Sequence, residues 1–312
     1  MNAGESVDHG MLPWPALAPL ARAAASGAAP DREESQLFYF DSAPEGRNGS
    51  PAIMFIHGLG DEADSFRHLF PLLAPEHRLI ALDLPGFGRS PTNKPTSLAG
   101  CAAAVRTVAA HARASRLILV GSSLGAAIAQ MVASEVPELA AGLVLLDGGM
   151  PLRSKPSPAL LAMAVPLLGE GRYRAFRRDH GAALRSLYPY YADFAALPQT
   201  DQDFLASRVA ARVESERQLR AYFSLLRDTI LNAGKLEKRL IAALSDASRP
   251  RAIVWGEADL VMPLEAGREL ARLAGGDIQL QVIKGAGHLP HQEQAEAMAA
   301  IIRNVAMACQ AA

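Results

Sequence analysis

The chain alternates short, nearly continuous apolar runs with longer stretches in which apolar positions recur at helical spacing. AIMFIHG at 52–58, HRLIALDLPG at 77–86, RLILVG at 116–121 and AGLVLLDG at 141–148 are runs of the first kind. They lack period-two alternation, as strands covered on both faces require. Between them SFRHLFPLLA at 65–74, LAGCAAAVRTVAAHARA at 98–114 and AAIAQMVASEV at 126–136 read as helices. QLFYFDSA at 36–43 predicts an early edge strand, closed by the turn-forming PEGRNGSP at 44–51. Strand and helix in alternation predict an α/β fold, a mostly parallel central sheet with helices on both faces. Right-handed crossovers then bring the carboxyl ends of the strands to one edge.

After Gly149 the rhythm stops. From Pro151 to about Ser248 the chain offers helical stretches, among them LLAMAVPLL, YRAFRRDHGAAL and the charged DFLASRVAARVESERQLRAYFSLLRDTILNAG, but no strong buried strand. The alternation resumes with AIVWG at 252–256 and IQLQVI at 278–283, followed by a terminal helix around 292–308. This divides the chain into an N-terminal extension at 1–35, a core at 36–149 and 249–312, and an inserted helical lid at 150–248. Inserted after a sheet strand, the lid hangs over the edge where loops build a site.

Composition narrows the functional classes. Hydrophobic residues are 50% and charged residues 20%, the balance of an ordinary globular protein. With 31 Lys and Arg against 32 Asp and Glu, nothing steers the molecule globally towards nucleic acid. Cys101 and Cys309 stand too far apart to suggest a disulfide framework or a metal cluster, and read as apolar side chains in a reducing compartment. The apolar segment at 11–30 is preceded by acidic residues without Lys or Arg, which argues against a signal peptide. Pro13, Pro15 and Pro19 oppose a long helix there, and no run approaches the roughly 20 apolar residues of a membrane span. The expectation is a cytoplasmic protein without integral membrane association.

The strongest chemical signal is Gly121-Ser122-Ser123-Leu124-Gly125, a G-x-S-x-G pattern with RLILV before it and AAIAQMVA after it. A strand, a sharp turn and a helix are the context a nucleophile elbow needs, and the helix N-terminus favours developing negative charge. The competing reading makes Ser122 and Ser123 helix caps. A serine nucleophile needs a base and the base an orienting acid. KGAGHLPHQEQ at 284–294 supplies His288 after the final strand, and WGEADLVMP at 255–263 supplies Asp259 after the preceding one. Ser123, Asp259 and His288 are therefore the candidate catalytic triad. His291 competes as base but is expected to meet solvent or start the terminal helix, while Glu257 and Asp147 compete as acid. His57-Gly58-Leu59-Gly60 lets the Leu59 and Leu124 backbone N–H groups form an oxyanion hole, with His57 orienting the loop. Tyr188, Tyr190, Tyr191 and Phe194 of the lid either line the substrate pocket or pack within the lid. Asp83–Ser90 (DLPGFGRS) reads as a rigid turn, lacking the third glycine of a dinucleotide cradle. There is neither a phosphate-binding lysine loop nor an HExxH zinc motif.

Together HGLG at 57–60, DLPGFGRS at 83–90, GSSLG at 121–125, WGEAD at 255–259 and GAGH at 285–288 resemble the α/β-hydrolase superfamily, particularly its lid-bearing esterase and carbon-carbon hydrolase-like branches. The resemblance spans most of residues 36–308. It implies a serine attacking an acyl carbon, a histidine relaying protons, and no metal or organic cofactor. Ser123 departs from the aspartate-nucleophile dehalogenases and epoxide hydrolases, while the general loop also resembles non-haem haloperoxidases. The leading expectation is hydrolysis of a small or medium carboxylic ester, with a small-molecule acyl compound as substrate. The alternatives are carbon-carbon hydrolysis of a diketone or vinylogous acid, with Arg174, Arg177 or Arg185 as carboxylate grip, acyl transfer, and a non-catalytic ligand receptor of the same fold.

Overall fold

In the computed structural model, residues 21–25, 36–43, 49–92, 94–150, 158–275 and 278–311 are described. Eight strands form one sheet: β1 (Ala21–Ala25), β2 (Gln36–Asp41), β3 (Ala52–Ile56), β4 (Leu79–Leu82), β5 (Leu117–Ser122), β6 (Ala140–Leu146), β7 (Arg251–Gly256) and β8 (Leu280–Ile283). Their order is β1-β2-β4-β3-β5-β6-β7-β8. The pairs from β4 to β8 are parallel, while β1–β2 and β2–β4 are antiparallel. The fold class expected from the alternation is therefore the one observed. One detail differs: Ala21–Ala25, within the range expected to be an extension, pairs with β2, so Gln36–Asp41 is not the sheet edge. The run ARAAA carries little strand propensity, and hydrogen bonding to an existing strand supplies the order that composition does not.

Central strands bury both faces, which explains why they read as unbroken apolar runs. In β3, Met54 and Ile56 enter one apolar cluster with α2 (Leu98–His111) and α3 (Leu124–Glu135), while Ile53 and Phe55 enter the opposite cluster. That second layer is built by α1 (Leu69–Leu73) and the terminal helix, which is interrupted into α10 (Pro290–Glu293) and α11 (Ala295–Ala311). Helix α9 (Leu264–Ala274) joins β7 to β8. Each buried Leu or Ile in these layers contributes about 1.5–3 kcal/mol of transfer free energy.

Between β6 and β7 the chain runs through five described helices, α4 (Pro158–Ala164), α5 (Leu168–Ala175), α6 (His180–Arg185), α7 (Gln199–Glu214) and α8 (Glu216–Ser245). This insertion is not detached from the core. Leu225, Leu240 and Leu244 of α8 lie in the same apolar cluster as α2 and α3, and Leu98 N–H donates to Asp228 Oδ2 of α8 at 2.8 Å. Buried ion pairs fasten α7 to the loop after β3: Arg208 grips both carboxylate oxygens of Glu62, and Arg212 reaches Asp61 at 2.8 Å and Glu62 at 3.0 Å. Burial works against the Glu62 charge, but Arg212 and Arg208 outweigh it and hold this carboxyl well below its ordinary range. Arg67 and Asp201 make a further bridge at 2.7 Å.

The loop 83–90 is the rigid turn expected of it. Asp83 accepts from Ala63 N–H at 2.8 Å and from the Arg89 N–H and Nε at 2.7 Å each. Gly88 is required because a Cβ there would sit 2.3 Å from Asp83 Oδ2. Among the described residues no helix is long and apolar enough to cross a membrane. Arg208→Ala leaves the buried Glu62 with one of its three guanidinium hydrogen bonds, that from Arg212, so it should lower unfolding free energy by about 3 kcal/mol, measured by urea titration; an unchanged midpoint would contradict the clamp.

Candidate active site

The carboxyl ends of β3, β5, β6, β7 and β8 converge on Ser123. This residue sits between β5 and α3 with φ 53° and ψ −119°, a backbone conformation costly for any residue with a side chain. Its surroundings leave room for nothing larger. A Cβ on Gly121 would lie 2.3 Å from Gly125 O, one on Gly125 would lie 2.1 Å from Ile56 O, and one on Gly148 would lie 2.1 Å from Ser123 O. The turn is therefore locked from its own helix, from β3 and from the end of β6. Ser123 makes no side-chain cap on α3, so its hydroxyl is left for other partners.

That partner is His288. Ser123 Oγ stands 2.9 Å from His288 Nε2, and His288 Nδ1 stands 2.8 Å from Asp259 Oδ2. Asp259 also accepts the Val261 and Met262 N–H groups on Oδ1, both at 2.8 Å. With Nδ1–H donated to the carboxylate, Nε2 is the free lone pair and accepts the serine proton. His288 is fixed along its backbone too, because its N–H donates to Tyr190 O at 2.8 Å. The three residues are thus brought together across separations of 136 and 29 positions, in the geometry expected from their strand-end placement.

The loop after β3 closes the other side. A Cβ on Gly58 would fall 3.1 Å from Ser123 Cβ and 3.7 Å from its Oγ, so only glycine lets this loop approach so closely. Among the described residues no protein acceptor takes the Leu59 or Leu124 N–H. His57 lies beneath, fully buried, accepting from Leu84 N–H at 2.9 Å through Nε2 and donating from Nδ1 to Gly58 O at 2.8 Å. Burial pushes its pKa down, against nearby carboxylates. Both ring nitrogens are occupied in holding loops, the orienting role expected of it.

The competitors separate clearly. His291, expected near solvent, is instead fully buried: Ser65 Oγ lies 2.8 Å from its Nε2 and Phe66 stacks on its ring at 4.8 Å. Burial pushes its pKa down to about 3, so it stays neutral in the core. It lies on the short α10, and its partners Ser65 and Phe66 are remote in the chain, so no local sequence signal marks its burial. Glu257 is exposed, and its side chain accepts from Gly285 N–H at 3.4 Å rather than from His288. Asp147 is buried beside Asp259 and His288.

The aromatic residues of the insertion lie in different surroundings. Tyr190 presents its ring edge-on to His288 at 5.5 Å. Tyr191 is buried with its hydroxyl donating to Gln292 Oε1 at 3.0 Å and packs with the buried Phe194, while Tyr188 stacks on Phe194 at 4.6 Å from the exposed side. Tyr222 of α8, which the sequence reading missed, lies against the loop after β3: a Cβ on Gly60 would come within 3.1 Å of its ring. An aromatic on the inward face of a long amphipathic helix carries no local mark of that position. Arg174 and Arg177 are paired with Glu216 at 3.0 and 2.8 Å, and Arg185 with Asp179 at 3.4 Å.

Comparisons with known proteins agree with this architecture. Residues 53–301 match the model of the alpha/beta hydrolase family. A pimeloyl-[acyl-carrier protein] methyl ester esterase of Neisseria meningitidis is 28% identical over 81% of this chain and 91% of its own. A 2-hydroxy-6-oxononadienedioate/2-hydroxy-6-oxononatrienedioate hydrolase of Pseudomonas putida is 27% identical over 84% and 88%. The solved 2-hydroxy-6-oxo-6-phenylhexa-2,4-dienoate hydrolase from Rhodococcus sp. strain RHA1 superposes with a TM-score of 0.71 at 21% identity, covering 91% of this chain and 97% of that one. Gly125→Ala would drive a methyl group into the Ile56 carbonyl and should cost at least about 2 kcal/mol. A thermal melt checks this, and an unchanged Tm would mean the elbow is not sterically locked.

Proposed function

The chain belongs to the α/β-hydrolase family, and on that premise we propose that it is a serine hydrolase that cleaves a small or medium carboxylic ester through an acyl-enzyme. The observation that carries this reading is the unbroken relay Ser123 Oγ, His288 and Asp259 at 2.9 and 2.8 Å, with the hydroxyl held on a strained turn. His288 Nε2 takes the Ser123 proton as Oγ attacks the ester carbon. The Leu59 and Leu124 N–H groups receive the charge that develops on the carbonyl oxygen. His288 then gives its proton to the leaving alkoxide, and Asp259 stabilises the imidazolium in between. Water repeats the sequence on the acyl-enzyme and releases the acid. No step calls for a metal or cofactor.

The insertion at 150–248 serves in this reading as a cap over the site. In this reading Tyr190, beside His288, and Tyr222, beside Gly60, flank the acyl group and limit its size. Carbon-carbon hydrolysis is the second reading, favoured by the Pseudomonas putida relative. It needs a carboxylate grip, and the three cap arginines suited to it by sequence are already engaged by Glu216 and Asp179. This weighs towards the ester.

On a series of p-nitrophenyl esters of graded acyl length, Ser123→Ala and His288→Gln should each lower kcat by about 10^4- to 10^6-fold, the loss expected when one member of a coupled nucleophile and base is removed. His291→Gln, assayed where it is folded, should remain within a few-fold of the parent. A folded Ser123→Ala protein with undiminished kcat would overturn the assignment. Cleavage of a vinylogous diketone in the absence of ester turnover would transfer it to the second reading.

A further inference from the structure

The loop that carries His288 meets the insertion along a seam that the mechanism above leaves unused. His288 N–H donates to Tyr190 O at 2.8 Å, so the proposed base takes its backbone partner from the insertion and not from the core. The two backbones run close together: a Cβ on Gly287 would lie 2.7 Å from Ala192 N and 2.8 Å from Tyr190 O. Among the described residues, neither the Gly287 nor the Ala192 N–H has a backbone acceptor. Gly287 is buried, where an unpaired N–H is costly.

Glu293, the last residue of α10, meets both donors with one carboxylate. Its Oε1 accepts the Ala192 N–H at 2.8 Å and its Oε2 accepts the Gly287 N–H at 2.7 Å. An amide of the same size has a single acceptor oxygen and would turn its NH2 group towards the second N–H. Burial raises the Glu293 carboxyl above its ordinary range, while the Gly287 and Ala192 N–H groups pull it down, so both donors favour the ionised form.

Building on the serine-hydrolase reading, we propose that Glu293 is a positioning residue that joins residues 190–192 of the insertion to the Gly287–His288 loop and so sets where the imidazole stands against Ser123. The path of contacts is short. Glu293 holds Ala192 and Gly287 together, and Tyr190, two residues from Ala192, receives the His288 N–H and presents its ring to the imidazole at 5.5 Å. Loosening the seam shifts Nε2 relative to Ser123 Oγ, a 2.9 Å contact whose alignment the proton transfer requires. Seating the insertion and seating the base are then one event, which makes residues 190–192 part of the catalytic frame as well as part of the cover.

The test combines the rate at which a fluorophosphonate labels Ser123, which requires the base but not the natural substrate, with kcat and KM on a p-nitrophenyl ester. In Glu293→Gln both the labelling rate and kcat should fall about 10-fold with KM little changed, because alignment of the base is lost and substrate contacts are not. Glu293→Asp keeps the charge and both acceptor oxygens, one methylene further from the donors, and should recover part of the loss; it also serves as the test if the amide variant fails to fold. Arg217→Leu cuts a different tie between insertion and core, the donations to Ser90 O at 2.6 Å and Gly88 O at 2.7 Å. It should lower Tm and leave the labelling rate at the parent value. Tm values of all variants separate loss of fold from loss of alignment. A folded Glu293→Gln labelled at the parent rate, or slowed only as much as Arg217→Leu, would overturn the positioning role while Ser123 is still labelled in the parent. Absence of any Ser123 adduct in the parent would instead overturn the serine-hydrolase reading on which it rests.

Discussion

The molecule depends on a single strained residue. Ser123 is held at φ 53° between a buried strand and a buried helix, a state costing on the order of 1–3 kcal/mol that persists only because its neighbours over-determine it. Gly121, Gly125 and Gly148 each face a backbone atom closer than any Cβ permits. These three contacts bring β3, β5, β6 and α3 to one point. The same close packing that forbids a side chain at these positions projects the serine hydroxyl out of the turn and towards His288.

Fixing the nucleophile would achieve little if the surrounding loops moved, and charge is used to stop them. Asp83 gathers the Ala63 N–H and Arg89, whose guanidinium also reaches Asp64 and lies over Phe38 at 4.0 Å. Glu62, four positions beyond Gly58, is seized by Arg208 and Arg212 of the insertion. The loop that carries Leu59 is thus anchored to the core on one side and to the helical insertion on the other. Buried ion pairs stabilise little in net terms once desolvation is counted, but removing one partner is costly. Their contribution here is to make one loop geometry much better than its alternatives.

Much of this could be read from the chain, for reasons specific to each element. The central strands are buried on both faces, so β3, β4, β5 and β6 stand out as apolar runs without alternation. Ser123, Asp259 and His288 were legible because each follows such a run directly, and because glycines at 121 and 125 mark the crowding around the first. What escaped is what depends on packing across distance. His291 is held inward by Ser65 and Phe66, and Tyr222 of α8 reaches Gly60, each across a long separation in the chain. Tyr190 lies beside His288, Tyr191 and Phe194 are buried and Tyr188 is exposed, a division set by contacts across the fold that spacing alone left open. Ala21–Ala25 is a strand by virtue of the neighbour it pairs with, not of its residues.

Among the described residues, two serines stand within hydrogen-bonding distance of a histidine, Ser123 with His288 and Ser65 with His291. Only the first has a carboxylate behind its imidazole and a strained turn beneath it, so only the first should be nucleophilic. Intact-mass analysis after reaction with a broadly reactive fluorophosphonate, followed by peptide mapping, separates them most directly. One adduct per chain is expected, carried by Ser123 and abolished in Ser123→Ala. An adduct on Ser65, or a folded protein that takes up no reagent, would contradict it.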